Sequence, residues 1–496
     1  MKLKSSSAGP DLIPPFFLKN LRLSLTRPLT DLFNLCAQTA TIPSIWREAV
    51  VVPVFKKGSA SKLENYRPIS LTSSCCKLFE SQLKNALLSY AALNKLLSPA
   101  QHGFLSRKST CTNLLETFND WTVNLDSKLS TFVLFIDFAK AFDCVSIPKL
   151  IYKLKLCGIS GTFLNCIESL LSERFQRVRV GTHLSERRPI LSGVPRGSVL
   201  GPILFLFFIN DFASFLPPLV RSKLFADDVK SYLSFSDDSR TDIIPSLLTS
   251  LETWSSNWQL PISISKCSWL LISFKNSVKD LSININGCSV NEIHDVKDLG
   301  VLFNSRLSFS QHISSVIAKA KQRIFLIRKC FTHGGPLSLI RAFKTYVLPI
   351  LEYCSPVWSP SSVTDIIRIE SVLRSFTKKL VDDPSLSYSD RLARFSLISL
   401  EKRRLFADLV LLFKIVYGLV SIDFGGAVCL IPFRSTRGHS LRLQIPPART
   451  NVRLDFYLIR VIKVWNSLSE ITVYSTSVSC FRSCLLSEDV SKFLIF

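Results

Sequence analysis

"KLFADDVKSYL", residues 223–233, sets two carboxylates, Asp227 and Asp228, side by side within a mostly apolar stretch. Leu224, Phe225 and Ala226 precede them; Val229, Ser231 and Leu233 then alternate with Lys230, Tyr232 and Ser234. This alternation predicts a β-hairpin with the acid pair at its turn. Neighbouring anions repel each other and resist desolvation, so the pair calls for a cation. Upstream, "TFVLFIDF" (131–138) reads as a buried strand closed by a third acid, Asp137. An acid at a strand end is ordinarily a cap, and a lone Asp–Asp pair is common by chance. A strand carboxylate joined to a hairpin pair, however, is a means of holding two Mg²⁺ ions about 3.5–4 Å apart. Mg²⁺ takes few protein carboxylates and fills its shell with water and substrate phosphates.

The rest of the chain fits a partner made of phosphate. Its 496 residues carry a formal charge of +24, which points to polyanions, either nucleic acid or an anionic membrane surface. Length predicts two to four domains or subdomains, and 47 % hydrophobic residues supply real cores. The longest apolar run, "PILFLFFI" (202–209), falls far short of the roughly 20 residues needed to span a bilayer. The N-terminus "MKLKSSSAGPDLIPP" has no apolar signal core, so we expect no secretion signal and an intracellular protein, in nucleus or cytoplasm. The 14 cysteines are scattered and predict core thiols in a reducing compartment; "CFRSC" (480–484) lacks a nearby histidine and reads as core filler.

Along the chain, residues 46–73 predict basic strands, and 131–236 alternate apolar strands with helical patterns. "KLIYKLKLCG" (149–158) predicts a helix stopped by Gly158, and "FLNCIESLLSERF" (163–175) a second, followed by a basic strand, "QRVRVG". Beyond 311 come amphipathic helices rich in Lys and Arg, such as "HISSVIAKAKQRIFLIRKCF", whose recurring charge favours a groove that tracks phosphates.

A longer series of motifs then gives the chain a family likeness. In order they are "FKKG", "NYRPISL", "QHGFLSRKST", "FIDFAKAFDCV", "SGVPRGSVLGPILFLFFINDF", "FADD", "LPISISKC" and "DLGVLF", with "YVLPILEYCSPVW" and "SLEKRR" beyond. The sequence resembles the reverse transcriptases of non-LTR (LINE-type, jockey-like) retrotransposons over most of its length. The resemblance implies an α+β right-hand polymerase fold, with fingers, a palm built on an antiparallel sheet, and a helical thumb. It divides the chain into an N-terminal extension of the fingers (1–44), a reverse transcriptase domain (45–305), a thumb (306–420) and a C-terminal region without an assigned role (421–496).

It also implies roles for individual residues. Asp137, Asp227 and Asp228 would be catalytic metal ligands, with the carbonyl of Phe138 completing one shell, for two Mg²⁺ ions or Mn²⁺ in their place. Arg67, assisted by Lys56 or Lys57, would grip the incoming triphosphate. Phe142 would be the steric gate that excludes ribonucleotides, although packing alone would also choose Phe there. Arg196 and Gly197, in "GVPRGSVLGP", would lie against the nucleotide, and Lys266 would be a general acid for departing pyrophosphate. "LGVLF" (299–303) would be the primer-grip hairpin.

Relatives usually carry Gln where Arg196 stands, Gly where Leu12 stands and often His where Ile147 stands. The expected partners are an RNA template, a DNA primer and dNTPs, with no membrane. No endonuclease precedes the polymerase motifs, so a truncated copy, with nicking left to a separate endonuclease, is the expectation. Two other readings are a catalytically silent nucleic-acid-binding relic and an intron-type maturase, which accounts less well for the motifs at both ends.

Overall fold

The computed structural model describes residues 8–236, 243–274, 281–383, 385–431 and 438–496. Strands β1 (Glu48–Phe55) and β2 (Tyr66–Leu71) pair antiparallel, from Val50 opposite Leu71 to Phe55 opposite Tyr66. β3 (Ser130–Ile136) belongs to a second, central sheet. β4 (Arg174–Val180) returns to the first sheet, parallel to β1, and short β5 (His183–Leu184) and β6 (Arg188–Ile190) complete it. β7 (Arg221–Phe225) and β8 (Asp228–Phe235) form the predicted hairpin. With β9 (Ser268–Ile272), β10 (Ile283–Ile285) and β11 (Cys288–Glu292) they give the central sheet the order β10-β11-β9-β3-β8-β7. β12 (Asp295–Asp298) and β13 (Val301–Asn304) make a separate two-stranded ribbon.

Period-two alternation in the central sheet sorts its side chains into two cores. Phe132, Leu134 and Ile136 of β3, Val229 and Leu233 of β8 and Trp269 of β9 face the first core, shared with helices Ser74–Leu93, Ile147–Leu156 and Gly161–Leu171. The intervening Val133, Tyr232, Leu270 and Ile272 face the second. The run "PILFLFFI" is the helix Gly201–Ile209 in the first core, where only Pro202 is less than fully buried. A helix that is apolar all round must be enclosed, and protein encloses this one. Among the described residues, no helix is long and apolar enough to cross a membrane.

The second core is helical. Helix Thr110–Asp126 starts at a capping box between Ser109 and Thr112 and sends Leu114, Leu115, Phe118 and Trp121 inward. Helices Ser310–Cys330, Val363–Lys378, Leu400–Val416 and Tyr457–Trp465 meet it. The C-terminal residues are integral to this core. The Asp126 carboxylate accepts the N–H groups of Arg449 (2.8 Å) and Thr450 (2.7 Å), and the Arg453 guanidinium donates to Asn119 Oδ1 at 3.0 Å. Trp465 is fully buried there. The result is the α+β right-hand arrangement: a fingers sheet, a palm sheet carrying the acid hairpin, and a helical thumb.

Three local expectations are corrected. The second helix runs Gly161–Leu171 and stops short of 175, because β4 begins at Arg174 and pairs with β1 in parallel from Phe175 onward. Cys480 is exposed and Cys484 half-buried, since the helix Val478–Ser487 turns Phe481 and Leu485 inward at i, i+4 spacing. Of the 14 unpaired thiols, Cys288, Cys330 and Cys429 are also exposed, so the core-thiol reading holds for only part of the set. Leu12 occupies a turn at φ +56° with its side chain in solvent, a backbone state that suits glycine better.

Candidate active site

The β7–β8 hairpin closes with Phe225 opposite Asp228, leaving Ala226 and Asp227 as a two-residue turn. On the other side, β8 pairs with β3 down to Val229 opposite Ile136. Asp137 directly follows Ile136 and Asp228 directly precedes Val229, so both leave that last pair at the same end of the sheet. Three acids from two distant segments thus reach one end of the palm sheet through backbone pairing alone.

Asp137 is fixed on several sides. Its carbonyl accepts the Ser263 N–H at 2.7 Å, and Lys266 Nζ lies 3.2 Å from its Oδ1. Phe138 forms an isolated antiparallel bridge to Ile262 in which the flanking residues carry the hydrogen bonds, Ser263 to Asp137 and Ala139 to Pro261. In such a pair the central residue's own N–H and C=O point away from the partner strand, so the Phe138 carbonyl is directed elsewhere. Its ring is buried against Phe212 and Trp254.

The electrostatics bear the mark of crowded anions. Burial and the nearby Asp137 carboxylate raise the Asp227 pKa, against the pull of Arg196 and Lys266. Asp228 keeps an accessible edge, but the cleft walls crowd it; burial, then Asp227, Asp298 and Asp137, push it up to about 6. Among the described residues, no three His, Cys, Asp or Glu side chains are drawn together closely enough to hold a metal ion. The backbone gathers the three acids; their side chains are not yet a ligand set, and Asp137 is turned to Lys266.

A cleft of about 560 Å³ opens at this end of the sheet. Lys56 and Arg67, from the β1–β2 arm, line it together with Asp137, Asp228 and Lys266 of the palm and Asp298, Leu299 and Gly300 of the β12–β13 ribbon. Five of the residues singled out by sequence therefore share one concavity. The others lie beside it. Arg196 pairs with Asp143 Oδ2 at 3.1 Å, and its carbonyl accepts the Ser70 N–H of β2 at 3.0 Å. Gly197 follows at φ +107°, where a Cβ would stand 2.4 Å from the Ser70 carbonyl oxygen; no other residue fits that approach. Phe142 is half-buried and stacked on Phe205, with ring centroids 4.4 Å apart.

Several participants escaped the sequence reading. Lys230, two residues after Asp228, is buried in an ion pair with Asp298 at the end of β12. Lys223 is paired with Glu116, which also accepts the Asp423 N–H at 2.8 Å and faces His102 Nε2 at 3.3 Å. Burial opposes ionisation of Glu116, but His102 and Lys223 outweigh it and hold its pKa at about 2. Asp298 sits within "DLGVLF" and Lys230 within the opening motif; nothing local tells that these two charges meet.

A family model described as "Reverse transcriptase (RNA-dependent DNA polymerase)" matches residues 54–303, just over half of the chain. Over 388 residues the chain is 26% identical to the RNA-directed DNA polymerase from mobile element jockey of Drosophila melanogaster, covering 76% of this chain and 42% of that protein. It is 27% identical to the probable RNA-directed DNA polymerase from transposon BS of the same fly, covering 76% and 43%. For the corresponding protein of the transposon X-element the values are 26%, 74% and 41%. The chain spans less than half the length of these curated relatives.

Proposed function

As the chain belongs to the reverse transcriptase (RNA-dependent DNA polymerase) family, we propose that it copies an RNA template into DNA, extending a DNA primer with dNTPs in the cleft between fingers and palm. The observation that carries this reading is the β3–β8 register, which brings Asp137 and Asp228 to one end of the sheet beside the Asp227 turn.

The chemistry of these donors suits divalent cations, although their side chains are not drawn together as a ligand set. Carboxylates that raise one another's pKa are relieved by bound positive charge, and carboxylate and carbonyl oxygens are hard donors suited to Mg²⁺ or Mn²⁺. Asp137, Asp227, Asp228 and the Phe138 carbonyl would hold them. Two such ions, when bound, supply Lewis-acid stabilisation of the attacking 3′-hydroxyl and of the triphosphate in an in-line displacement.

The remaining roles fall to the chain itself. Arg67 can hold phosphate oxygens bidentately from the fingers side, with Lys56 as a point charge. Lys266, ion-paired to Asp137 yet exposed, holds a proton at Nζ for the departing pyrophosphate. Arg196 and Gly197 tie the glycine-rich loop to β2 and shape the nucleotide's surroundings. Phe142 presses on the sugar 2′ position, its stacking on Phe205 fixing the ring. The basic thumb helices hold the hybrid duplex through phosphate contacts that weaken with salt. Such substrates place the protein inside the cell, in nucleus or cytoplasm.

The test is primer extension by the purified chain on RNA with an annealed DNA primer, dNTPs and Mg²⁺ or Mn²⁺. Asp227→Ala should abolish extension, whereas Glu186→Ala, at an exposed carboxylate outside the cleft, should retain it. RNA binding without extension by the wild type would leave a nucleic-acid-binding protein only. Phe142→Ala should increase ribonucleotide incorporation; an unchanged sugar preference would remove the gate role.

A further inference from the structure

The motif "QHGF" has no part in the chemistry so far, yet its first residue reaches the acid turn. Residues 100–102 run along β7, the edge strand of the palm sheet. Leu224 donates its N–H to the Ala100 carbonyl at 2.9 Å, the His102 N–H donates to the Leu224 carbonyl at 2.8 Å, and Gln101 bridges Leu224 in parallel. Gln101 is 3 % exposed. Its Oε1 accepts two backbone N–H groups, from Gly103 at 2.7 Å and from Ala226 at 2.9 Å.

Ala226 is the residue immediately before Asp227 and lies at φ +59°, a left-handed state that a residue with a Cβ adopts only when its surroundings enforce it. Gly103 completes the clamp: a Cβ there would stand 2.5 Å from the Ala226 nitrogen. The two donors fix the amide's orientation, because a flipped NH₂ would face them. The cost is visible, since the buried Gln101 Nε2 has no hydrogen-bond partner among the described residues. A glutamate would leave its second oxygen orphaned in the same place and would add a fourth carboxylate beside Asp227.

We infer that Gln101 is a positioning residue for the acid turn: by accepting the Ala226 N–H it enforces the left-handed conformation that aims Asp227 at its ligand. The inference rests on the polymerase reading of the same cleft, and the experiment separates the two. Gln101→Met keeps length and burial and removes the acceptor. Amide hydrogen exchange at Ala226 should then accelerate about tenfold or more, while the β8 amides exchange as in the wild type. The primer-extension kcat should fall on the order of a hundredfold, as expected for a displacement of about 1 Å at the reacting centre. The Mg²⁺ concentration for half-maximal rate should rise, with the KM for dNTP and the melting temperature near wild-type values. Gly103→Ala, which pushes on the same turn from outside, should also accelerate exchange at Ala226 and lower kcat, with a fall in melting temperature from the backbone clash.

Unchanged exchange at Ala226 in folded Gln101→Met would overturn the inference. So would wild-type kcat and Mg²⁺ dependence, or a loss in which melting temperature, KM and kcat deteriorate together. If instead the wild type extends no primer, the polymerase reading fails, while the exchange measurement still decides whether Gln101 holds the turn.

Discussion

Two hairpins meet in the cleft, and they solve the same backbone problem in opposite ways. β12 and β13 are joined by Leu299 and Gly300, both left-handed at φ +44° and +90°, as the favoured two-residue turns of twisted hairpins require. Glycine meets half of that demand locally, and the thumb needs only to lean on the turn: the Tyr353 hydroxyl donates to the Leu299 carbonyl at 2.8 Å. β7 and β8 are joined by Ala226 and Asp227, with no glycine and with an anion at the tip. That turn contradicts local propensity and is held from outside. Glycine at position 226 would ease this turn and still leave Asp227 in place, so alanine makes the conformation depend on its surroundings. Strain at a working site, maintained by the surrounding fold, is the general pattern.

The strongest way to break the comparison is to separate the hairpins. Lys230 and Asp298 join them through an ion pair with side chains 3% and 9% exposed. Lys230→Met should lower unfolding free energy by about 3–5 kcal/mol, because it strands Asp298 without a partner. The double variant Lys230→Met/Asp298→Leu should recover most of that loss in chemical denaturation; no recovery would mean the pair is not the link.

Next in size, Gly300→Ala should cost about 1–2 kcal/mol, from the left-handed backbone and from a Cβ 3.1 Å from the Tyr353 ring. The reciprocal change sharpens the contrast. Ala226→Gly relieves left-handed strain and should stabilise the fold by about 1 kcal/mol or less, read as a small rise in denaturation midpoint. Equal and opposite responses are not expected, since Gln101 has already absorbed part of the Ala226 strain.

The smallest effect is a pH dependence. The Asp228 carboxyl lies at about 6 in the folded chain against an ordinary 3.8, so folding favours its protonated form. Its contribution is fully present below the ordinary value and is lost as pH rises through about 6. In metal-free buffer, Asp228→Asn should therefore melt above the wild type at pH 8, by about 1–2 °C because solvent still reaches the group. The gain should shrink at pH 5, and it should shrink at pH 8 when Mg²⁺ is added. A constant difference across pH would show that the crowding of carboxylates is not felt.

Much of this architecture was legible in the residues. The alternation around Asp227 and Asp228 predicts the hairpin and the run before Asp137 predicts its strand, while the family resemblance marks "LGVLF" as the ribbon that faces them. Lys56 and Arg67 could be named as partners of the cleft because their motif has a recognisable form. The supporting contacts could not be read in the same way. Lys230 finds Asp298 at 68 residues' separation, Lys223 finds Glu116 at 107, and Ala226 finds Gln101 at 125. Arg196, an oddity in sequence, is in the structure a partner of Asp143. The C-terminal residues carry no motif, yet Trp465 and Phe481 fill the thumb core.

The sequence by itself determined which side chains are available for chemistry and which segments alternate with period two or follow a helical repeat. Those are properties of neighbouring residues, set by short-range sterics and by apolar patterning. Only the tertiary structure decided how Asp227 is aimed, which charges are neutralised, and what holds the two hairpins together. Hydrogen bonds and buried ion pairs act over a few ångströms and are indifferent to distance along the chain, so their partners exist only once the chain has folded.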